Sequence, residues 1–534
     1  MFQCGSRRLL VCICSAVLLR TRLDRSGTVI AIAAVVGLVL RGYRLTRPGE
    51  LFGIGGDDGV YFGAAVRLIH GVLPYRDYVL VHPPLITVLL APFAVLGEFV
   101  GTADAFAMAR LATVAVGVVN VVLIGLLLRR FGTRAVAVGC VVLAVHGAAV
   151  RSAETIYLEP YVVLLLLAGL LVLFDGTSLA SPRRQFVGSV LIGLACATKI
   201  WAIVPAVVLV AIAVVFPASG SRRRGQLGRV VAGITAGFMV PVLPFTAAAP
   251  GRFVHDVFVA QLERHGPRRS ALVRVASMLG LGVHQDQPSG VVLVGGATLA
   301  VIVFATYGWW ARRCRGKLDP FTVFTAVSAV LVAGMFFVPD SYFWHYGGFF
   351  APFLALALAR PVRELARTKR LPARGAVALV GVGLTVVFGV GVGAALKPVD
   401  GTTVPAAVID AQIPAGSCVV TDNSSVAVIV GRSTSVSSCP QVIDPYGIQL
   451  AYAYGGGPTS NTADRLHSYW VAVLARAQYL LLTSDDLTEL PWHRLLPQVE
   501  RDFHRVDLRV PSPQFVLWER DTDTRELTIA AGQR

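Results

Sequence analysis

The sequence predicts an α-helical polytopic membrane protein with about eleven transmembrane helices and a C-terminal α/β domain that lies outside the cytoplasm. Of its 534 residues, 55% are hydrophobic and only 15% are charged, with a mean hydropathy of +0.67, which is unlike an ordinary soluble domain. Apolar runs of about 15 to 25 residues recur from Thr28 to Leu396, and a bilayer needs roughly 20 residues per helix. After Lys397 the pattern changes to alternating strands, turns and mixed charges.

Residues 1–26 are predicted to form a cytoplasmic or interfacial N-terminal tail. Its apolar stretch, Leu9 to Leu19, lies between Arg8 and Arg20 and resembles the short core of a signal peptide more than a span. A cleaved signal peptide and a mis-assigned start codon are the alternatives. The next apolar segment can direct insertion by itself.

The membrane region is predicted over residues 27–396, with a first outer loop at 46–103. The net charge of +17 does not indicate a nucleic-acid surface, because the basic clusters fall in short loops between apolar runs, where they set orientation. The loops with basic clusters all fall on the cytoplasmic side only if Leu85–Gly97 does not cross the membrane. We therefore expect this segment to lie along the membrane interface. The predicted spans are 27–45, 104–128, 134–150, 160–174, 186–199, 201–216, 229–247, 290–310, 321–338, 348–359 and 375–396.

Residues 397–534 are predicted to form a small α/β domain on the same outer side as the first loop. The stretches "SCVVTD" and "QYLLLTS" have the apolar character of strands. Cys418 and Cys439 form the only cysteine pair in this segment, and an oxidising compartment permits a disulfide between them. No cysteine or histidine spacing indicates a metal site. We expect this domain to serve acceptor recognition or complex assembly.

The stretch "GIGGDDGVYFGAAVRLIHGVLPYRDYVLVHPPL", Gly53 to Leu85, is predicted to carry the chemistry. It places an acidic pair just outside the first span and returns to the membrane through "HPPL". With the following "GEFVGTADAFAMARLATVAVGVVNVVLIGLLLRRFG", it resembles the first outer loop and second span of the GT-C glycosyltransferases. The subgroup that it resembles is that of the protein O-mannosyltransferases and lipid A aminoarabinose transferases.

This resemblance implies transfer of a sugar, with inversion, from a polyprenyl-phosphate donor to an acceptor at the outer face of the membrane. Asp57 matches the family's catalytic aspartate, and we expect it to act as general base on the acceptor hydroxyl. Asp58 matches the acidic residue that follows, which is usually Glu, and the resemblance implies a catalytic set of Asp57, Asp58 and, further along the chain, Glu159. The alternative is a solvated acidic pair at a helix end. Arg110 matches the family's Ala-Arg-Leu arginine and is expected to tether the first loop.

Further site residues follow from looser matches. Glu159 falls where the family carries a second acidic residue, with Glu154 as the alternative, and both could simply cap a helix or face water. Lys199 matches the lysine of a "TKG" turn, which implies contact with the donor phosphate, although a lysine at this depth could also extend to the interface. Arg268 and Arg269, beside Arg264, are weaker candidates for the same phosphate.

Three aromatic or histidine side chains are expected to line the site: Tyr61, His82 and His345. Tyr61 matches the tyrosine after the acidic pair, and Pro83 and Pro84 restrict the backbone beside His82. His345 lies in "SYFWHYGG" at another outer span end, where aromatic residues also occur for purely interfacial reasons.

The expected partners are the bilayer, a polyprenyl-phosphate-linked sugar and a cell-envelope acceptor, which could be a glycan, a lipid or a protein. The expected location is the plasma (inner) membrane, with the active site outside. No cofactor is indicated, and a divalent metal is left open. The sugar could be mannose, arabinose, another hexose or an amino sugar. The alternative functions are a transporter or flippase of lipid-linked sugars and a non-catalytic scaffold, although the chain shows no internal repeat of the kind common in transporters.

Overall fold

The computed structural model of the protein describes most of the chain as helical. The described residues are 24–217, 223–262, 268–281, 290–313, 319–367, 389, 393, 403–433, 439–454, 462–483, 492–509 and 515–521. The N-terminal stretch Leu9 to Leu19 lies outside them, as does the predicted span 375–396 apart from residues 389 and 393.

The first part of the chain forms helices whose limits agree closely with most of the predicted spans. Their bounds are α1 Arg25–Gly42, α2 Asp57–Ile69, α3 Leu85–Val100, α4 Thr102–Leu128, α5 Thr133–Val145, α6 Gly147–Arg151, α7 Leu158–Leu173, α8 Pro182–Thr198, α9 Ile203–Val215, α10 Arg223–Ala248, α11 Pro250–Val254, α12 Ala260–Leu262, α13 Ala271–Met278, α14 Gly290–Arg313, α15 Pro320–Met335 and α16 Tyr346–Arg367. A two-residue hairpin, β1 Phe174–Asp175 and β2 Ser178–Leu179, joins α7 to α8.

Three segments among the described residues are long and apolar enough to cross a membrane: Arg25–Gly42, Thr102–Phe131 and Arg223–Ala248. Shorter apolar helices, such as α7 and α15, pack beside them. Sixteen residues in each of these helices correspond to about 24 Å at a rise of about 1.5 Å per residue, less than the roughly 30 Å of a bilayer core. The count of eleven spans and the interfacial position of α3 remain predictions.

The predicted span 134–150 corresponds to two helices, α5 and α6, with a break at His146. Helix α5 ends at Val145 because His146 leaves the helical region (ψ 115°) and begins the short helix α6. The buried Arg41 guanidinium of α1 donates to the carbonyls of Leu143 and Ala144, each at 2.9 Å. Carbonyls that would otherwise be orphaned at the end of α5 are thus satisfied by a side chain from another helix.

The C-terminal part forms a four-stranded mixed sheet with helices around it. Its strands are β3 Val419–Thr421, β4 Tyr479–Leu482, β5 Phe503–Val506 and β6 Val516–Arg520, and its helices are α17 Ala406–Gln412, α18 Ser424–Ile429, α19 Pro445–Tyr454, α20 Thr462–Arg476 and α21 Trp492–Asp502. The strand order is β3-β4-β6-β5, with β3 parallel to β4 and the other pairs antiparallel. The strands predicted in "SCVVTD" and "QYLLLTS" are confirmed.

One face of this sheet shares its apolar core with the membrane region. A single cluster of buried residues contains Phe62 of α2 and Phe106 of α4 together with Val426 of α18 and Leu481 of β4. The opposite face packs on a separate cluster around the fully buried Trp470. The C-terminal segment is therefore an integral support of α2.

Contact between α2 and α18 depends on a glycine. A Cβ atom added at Gly59 would lie 2.1 Å from the backbone nitrogen of Ser425, a distance that only movement of the backbone could relieve. The absence of a side chain lets the two helices approach closely.

We predict that Gly59→Ala separates α18 from α2 and lowers the free energy of unfolding by about 1–3 kcal/mol, the usual cost of overpacking. Gly228→Ala in α10 is the matched control, because an added Cβ there meets nothing within 4 Å. Thermal unfolding in detergent, together with limited proteolysis of the C-terminal segment, measures the effect. Equal stability of the two variants would contradict the close contact.

Candidate active site

The acidic pair lies at the first turn of α2, where the helix dipole favours carboxylates. Gly55 precedes it because a Cβ atom there would lie 2.0 Å from the Asp58 carboxylate. Consecutive residues of a helix point about 100° apart, so Asp57 and Asp58 enter different surroundings. Asp58 is completely buried, whereas Asp57 is only half-buried.

Asp58 joins three distant parts of the chain. Its Oδ2 atom accepts from Nη2 and Nε of Arg110, at 2.6 and 3.0 Å, and from the hydroxyl of Thr155. Its Oδ1 atom accepts from the hydroxyl of Ser425 at 2.9 Å. The carboxylate is thereby fully engaged, and these contacts favour a structural role over the catalytic one that the sequence suggested.

Arg110 tethers the loop between α1 and α2. Besides Asp58, its guanidinium donates to the carbonyls of Leu51 at 2.6 Å and Gly53 at 3.0 Å. Burial alone would raise the pKa of Asp58, but the Arg110 charge and the donated hydrogen bonds lower it below its ordinary value. The ionised Asp58 carboxylate therefore stabilises the folded state fully at pH values above the ordinary pKa of an aspartate. This stabilisation is lost as the pH falls through the lower pKa of the folded protein.

Asp57 contacts a tyrosine and follows Gly55 and Gly56, which line a cleft. The Tyr61 hydroxyl donates to its Oδ2 atom at 3.4 Å, a long hydrogen bond. Burial, and next the charge of Asp57, raise the pKa of Tyr61 well above its ordinary value, so the hydroxyl keeps its proton and acts as a donor. The Tyr61 and His82 rings lie 5.9 Å apart.

The predicted residues Glu159, Lys199 and His345 form a second cluster, which is buried. Oε1 of Glu159 accepts from Nζ of Lys199 at 2.5 Å and contacts Nδ1 of His345 at 2.7 Å. The Lys199 ammonium also lies 3.8 Å from the ring centroid of Trp201, a cation–π distance. Lys199 follows the last residue of α8, so a break between two helices presents it.

Tyr157 connects the two groups and was not singled out from the sequence. Its ring lies 5.1 Å from that of His345 and 5.4 Å from that of Trp344. Its hydroxyl lies 3.8 Å from where a Cβ atom on Gly56 would be, next to Asp57. The only available signal was its position between Glu154 and Glu159 in a polar loop.

The two arginines suggested for the donor phosphate are not in the buried cluster. The Arg268 side chain is 81% exposed and pairs with Asp340 at 3.2 Å, and Arg269 is half-buried and accepts through its carbonyl from Arg274. Arg264 lies outside the described residues. The buried Arg274 instead donates to the carbonyls of Phe336, Pro339 and Asp340, which orders the segment before His345.

The C-terminal segment supports α2 at two further points that the sequence did not indicate. Asn423 donates to the carbonyl of Gly55 at 3.1 Å, and Arg67 of α2 donates to Gln441 at 2.7 Å. Both supports lie near the disulfide, which the structure forms between Cys418 and Cys439, as the sequence suggested. No group of three or more His, Cys, Asp or Glu side chains capable of holding a metal occurs within the described ranges.

Comparison with known proteins identifies similar folds and one sequence family. The profile of glycosyltransferase family 87 matches residues 80–339, a range that includes Arg110, Glu159 and Lys199 and begins after Asp57. ArnT from Cupriavidus metallidurans in its apo state matches with a TM-score of 0.59 and 15% identity over 93% of this chain and 98% of its own. The chain has a GT-C fold.

Two other solved structures are similar. The oligosaccharyltransferase AglB from Archaeoglobus fulgidus matches with a TM-score of 0.55 and 13% identity over 93% of this chain and 74% of its own. The arabinofuranosyltransferase AftD from mycobacteria matches with a TM-score of 0.51 and 15% identity, over 92% of this chain and 40% of its own. No curated protein sequence matches. The resemblance to the GT-C glycosyltransferase superfamily is confirmed.

For this GT-C chain we predict that Asp58→Asn and Arg110→Met each lower the free energy of unfolding by about 3–5 kcal/mol, because each leaves a buried partner unpaired. The double variant should lose less than the sum of the two, since the partners act as a unit. The exposed pair Arg76 and Asp77, at 2.7 Å, gives a control: Asp77→Asn should cost less than about 1 kcal/mol. Chemical unfolding in detergent is the measurement, and additive losses from Asp58 and Arg110 would contradict their coupling.

Proposed function

We propose that this protein is a membrane glycosyltransferase that moves a sugar from a polyprenyl-phosphate donor to a cell-envelope acceptor, with inversion at the anomeric carbon. The observation that carries the proposal is the arrangement of Asp57 and Lys199 in a GT-C fold. The half-buried Asp57 follows two glycines that line a cleft. The buried Lys199 ammonium belongs to a cluster that meets Tyr157 through the ring of His345.

In this reaction Asp57 is the general base. Its carboxylate accepts the proton of the acceptor hydroxyl while that oxygen forms a bond to the anomeric carbon from the face opposite the leaving group. The bond between the anomeric carbon and the phosphate oxygen breaks, and the polyprenyl phosphate leaves with the electron pair. Tyr61 keeps its proton and donates to Asp57, which holds the carboxylate in one orientation.

Lys199 is the cation for the donor phosphate. The phosphate gains negative charge as it leaves, and a fixed ammonium in a water-poor site stabilises that charge. Glu159 is a positioning residue in this scheme, because its Oε1 atom holds both Lys199 and His345. Because both cationic partners hold its Oε1 atom, and because Asp57 matches the family's catalytic aspartate, we assign the general base to Asp57.

The similar proteins support a lipid-linked donor. ArnT of C. metallidurans has been solved bound to undecaprenyl phosphate, and AglB of A. fulgidus with a dolichol-phosphate. These likenesses also favour a transferase over a transporter of lipid-linked sugars. The sugar classes that we propose are hexoses and pentoses, with mannosyl and arabinosyl transfer as the two leading alternatives.

We place the site at the outer face of the plasma membrane. The basic clusters between spans favour this orientation, and the disulfide between Cys418 and Cys439 is typical of a segment outside the reducing cytoplasm.

We predict that Asp57→Asn lowers kcat about 10² to 10⁴-fold while donor affinity stays near normal, because the amide keeps the shape of the carboxylate but not its basicity. Transfer from a labelled polyprenyl-phosphate sugar in reconstituted vesicles measures this. Asp104→Asn, at the exposed start of α4, is the matched control. Near wild-type turnover in a correctly inserted Asp57→Asn protein would contradict the assignment of Asp57 as the general base.

In the same assay Lys199→Met provides the contrast. The cation contacts the phosphate in both the ground state and the transition state, so its loss should raise the donor KM as well as lower kcat. An unchanged donor KM in this variant would show that Lys199 does not contact the donor phosphate.

We predict that a cysteine in place of Gly56 is labelled by a membrane-impermeant thiol reagent from the outer side. Gly56 is exposed, and an added Cβ atom there meets nothing closer than 3.8 Å. The background is a chain with Cys4, Cys12, Cys14 and Cys314 replaced by serine, since Cys140 and Cys196 are buried and the remaining two are paired. Labelling that appears only after permeabilisation would reverse the proposed orientation.

A further inference from the structure

A cleft with charged walls opens beside Gly55 and Gly56, the two residues that precede Asp57, and has no role in the scheme above. It has a volume of about 170 Å³ and includes the backbone of Gly55 and Gly56. We call it the charged cleft and define it by its six principal side chains: Arg44, Glu50, Arg151, Glu154, Tyr157 and Trp344. Lys199 does not line it, whereas Tyr157 does, so the tyrosine stands between this cleft and the buried lysine.

The arginines of the charged cleft are already engaged. Nε of Arg44 lies 2.6 Å from Oε2 of Glu50, and its Nη1 lies 3.6 Å from Oε2 of Glu154. Nη1 of Arg151 donates to the same Glu154 oxygen at 2.8 Å. Arg110, which borders the cleft, is held by Asp58 and two carbonyls.

The carboxylates are not fully engaged. Glu50 is 8% exposed and Glu154 is 3% exposed, yet in each the Oε1 atom has no hydrogen-bond partner among the described residues. A buried carboxylate oxygen without a hydrogen-bond donor is destabilising. Burial raises the pKa of Glu154 to about 7, so above that pH both glutamates are charged and these Oε1 atoms lack donors. A ligand that supplies donors satisfies them.

The lack of hydrogen-bond donors for these carboxylates indicates which class of ligand fits the cleft. An anion such as a phosphate brings only acceptors and would lie against two carboxylates whose arginine partners are already taken. The three arginines that line the cleft are already paired, two with its glutamates and Arg110 with Asp58, so none of them is available to an anion. A saccharide supplies several hydroxyl donors, and the Tyr157 and Trp344 rings offer an apolar wall for its carbon face.

We propose that the charged cleft is the acceptor subsite and that the acceptor unit it binds is an uncharged saccharide whose hydroxyls donate to Glu50 and Glu154. This inference rests on the proposed function, because the cleft is assigned to the acceptor by its position next to the general base and on the other side of Tyr157 from the donor lysine. One hydroxyl of the bound unit then reaches Asp57, and the others are held by the two carboxylates. Glu50 and Glu154 are thus specificity residues.

The binding test uses the full-length protein in nanodiscs and three probes: a methyl hexoside or methyl pentoside, glucosamine, and inorganic phosphate. Saturation-transfer NMR should show binding of a neutral glycoside, weakened about tenfold or more by Glu50→Gln or Glu154→Gln, as expected when a hydrogen bond to a charged group is lost. Glu98→Gln, a change to an exposed glutamate on α3, should leave the affinity unchanged. Preferential binding of phosphate or glucosamine would overturn the inference, as would equal weakening by the control.

Transfer kinetics separate this inference from the proposed function. Glu50→Gln and Glu154→Gln should raise the acceptor KM and leave the donor KM unaltered. Sugar transfer with an unchanged acceptor KM in both variants would overturn the cleft assignment alone. Saccharide binding in the cleft with no transfer by the wild-type protein would overturn the proposed function and, with it, the acceptor role of the cleft.

If the glutamate variants insert poorly, Trp344→Leu tests the aromatic wall of the same cleft. Unchanged glycoside affinity in that variant would count against the subsite.

Discussion

The arrangement of the whole site depends on the buried ion pair between Asp58 and Arg110. A charged pair with side chains 0% and 3% exposed is stable only when its remaining hydrogen-bonding capacity is filled, and here three separate segments fill it. The first loop contributes two carbonyls, the loop before α7 contributes Thr155, and α18 contributes Ser425. Each of these segments carries or borders a site residue. The requirement to satisfy one buried carboxylate therefore sets the relative positions of the elements that surround Asp57.

Two charged groups then flank Tyr157, and in both a buried carboxylate keeps an oxygen without a donor among the described residues, Oε2 of Glu159 in the buried cluster and Oε1 of each glutamate in the charged cleft. In the buried cluster, Oε1 of Glu159 is shared by Lys199 and His345, so one carboxylate keeps two cationic or potentially cationic groups in place. In the charged cleft, two carboxylates each keep an oxygen without a donor. The first arrangement suits a phosphate, which accepts hydrogen bonds, and the second suits hydroxyl groups, which donate them. The two sites differ in their cations, which are an ammonium in the buried cluster and guanidinium groups in the charged cleft.

Local sequence signals predicted the parts of this protein that local physics determines. Apolar runs predicted most helices, two period-2 stretches predicted β3 and β4, and the motif around Asp57 led to the GT-C resemblance. The end of α5 at His146 could not be predicted, because it depends on Arg41 reaching across from α1 to the carbonyls of Leu143 and Ala144. The roles of Ser425 and Asn423 were equally inaccessible, since a serine and an asparagine in a polar segment have no pattern that points to a distant helix. The two adjacent aspartates looked alike in the sequence, and only their three-dimensional surroundings distinguish them.

The hydrogen bond between Asp58 and Ser425 joins residues 367 positions apart, whereas Arg110 is only 52 positions from Asp58. At a synthesis rate of about 5–20 residues per second, the ribosome delivers Arg110 within roughly 3 to 10 seconds of Asp58 but Ser425 only after roughly 20 to 70 seconds. Arg110 can therefore neutralise the charge of the nascent Asp58 early, during insertion of the first helices. The hydrogen bond from Ser425 to its Oδ1 atom forms only when the C-terminal segment has been made. Helix α2 receives its final support only after nearly all the membrane helices have been made, so completion of the site is a late event in biogenesis and a truncated nascent chain cannot assemble it.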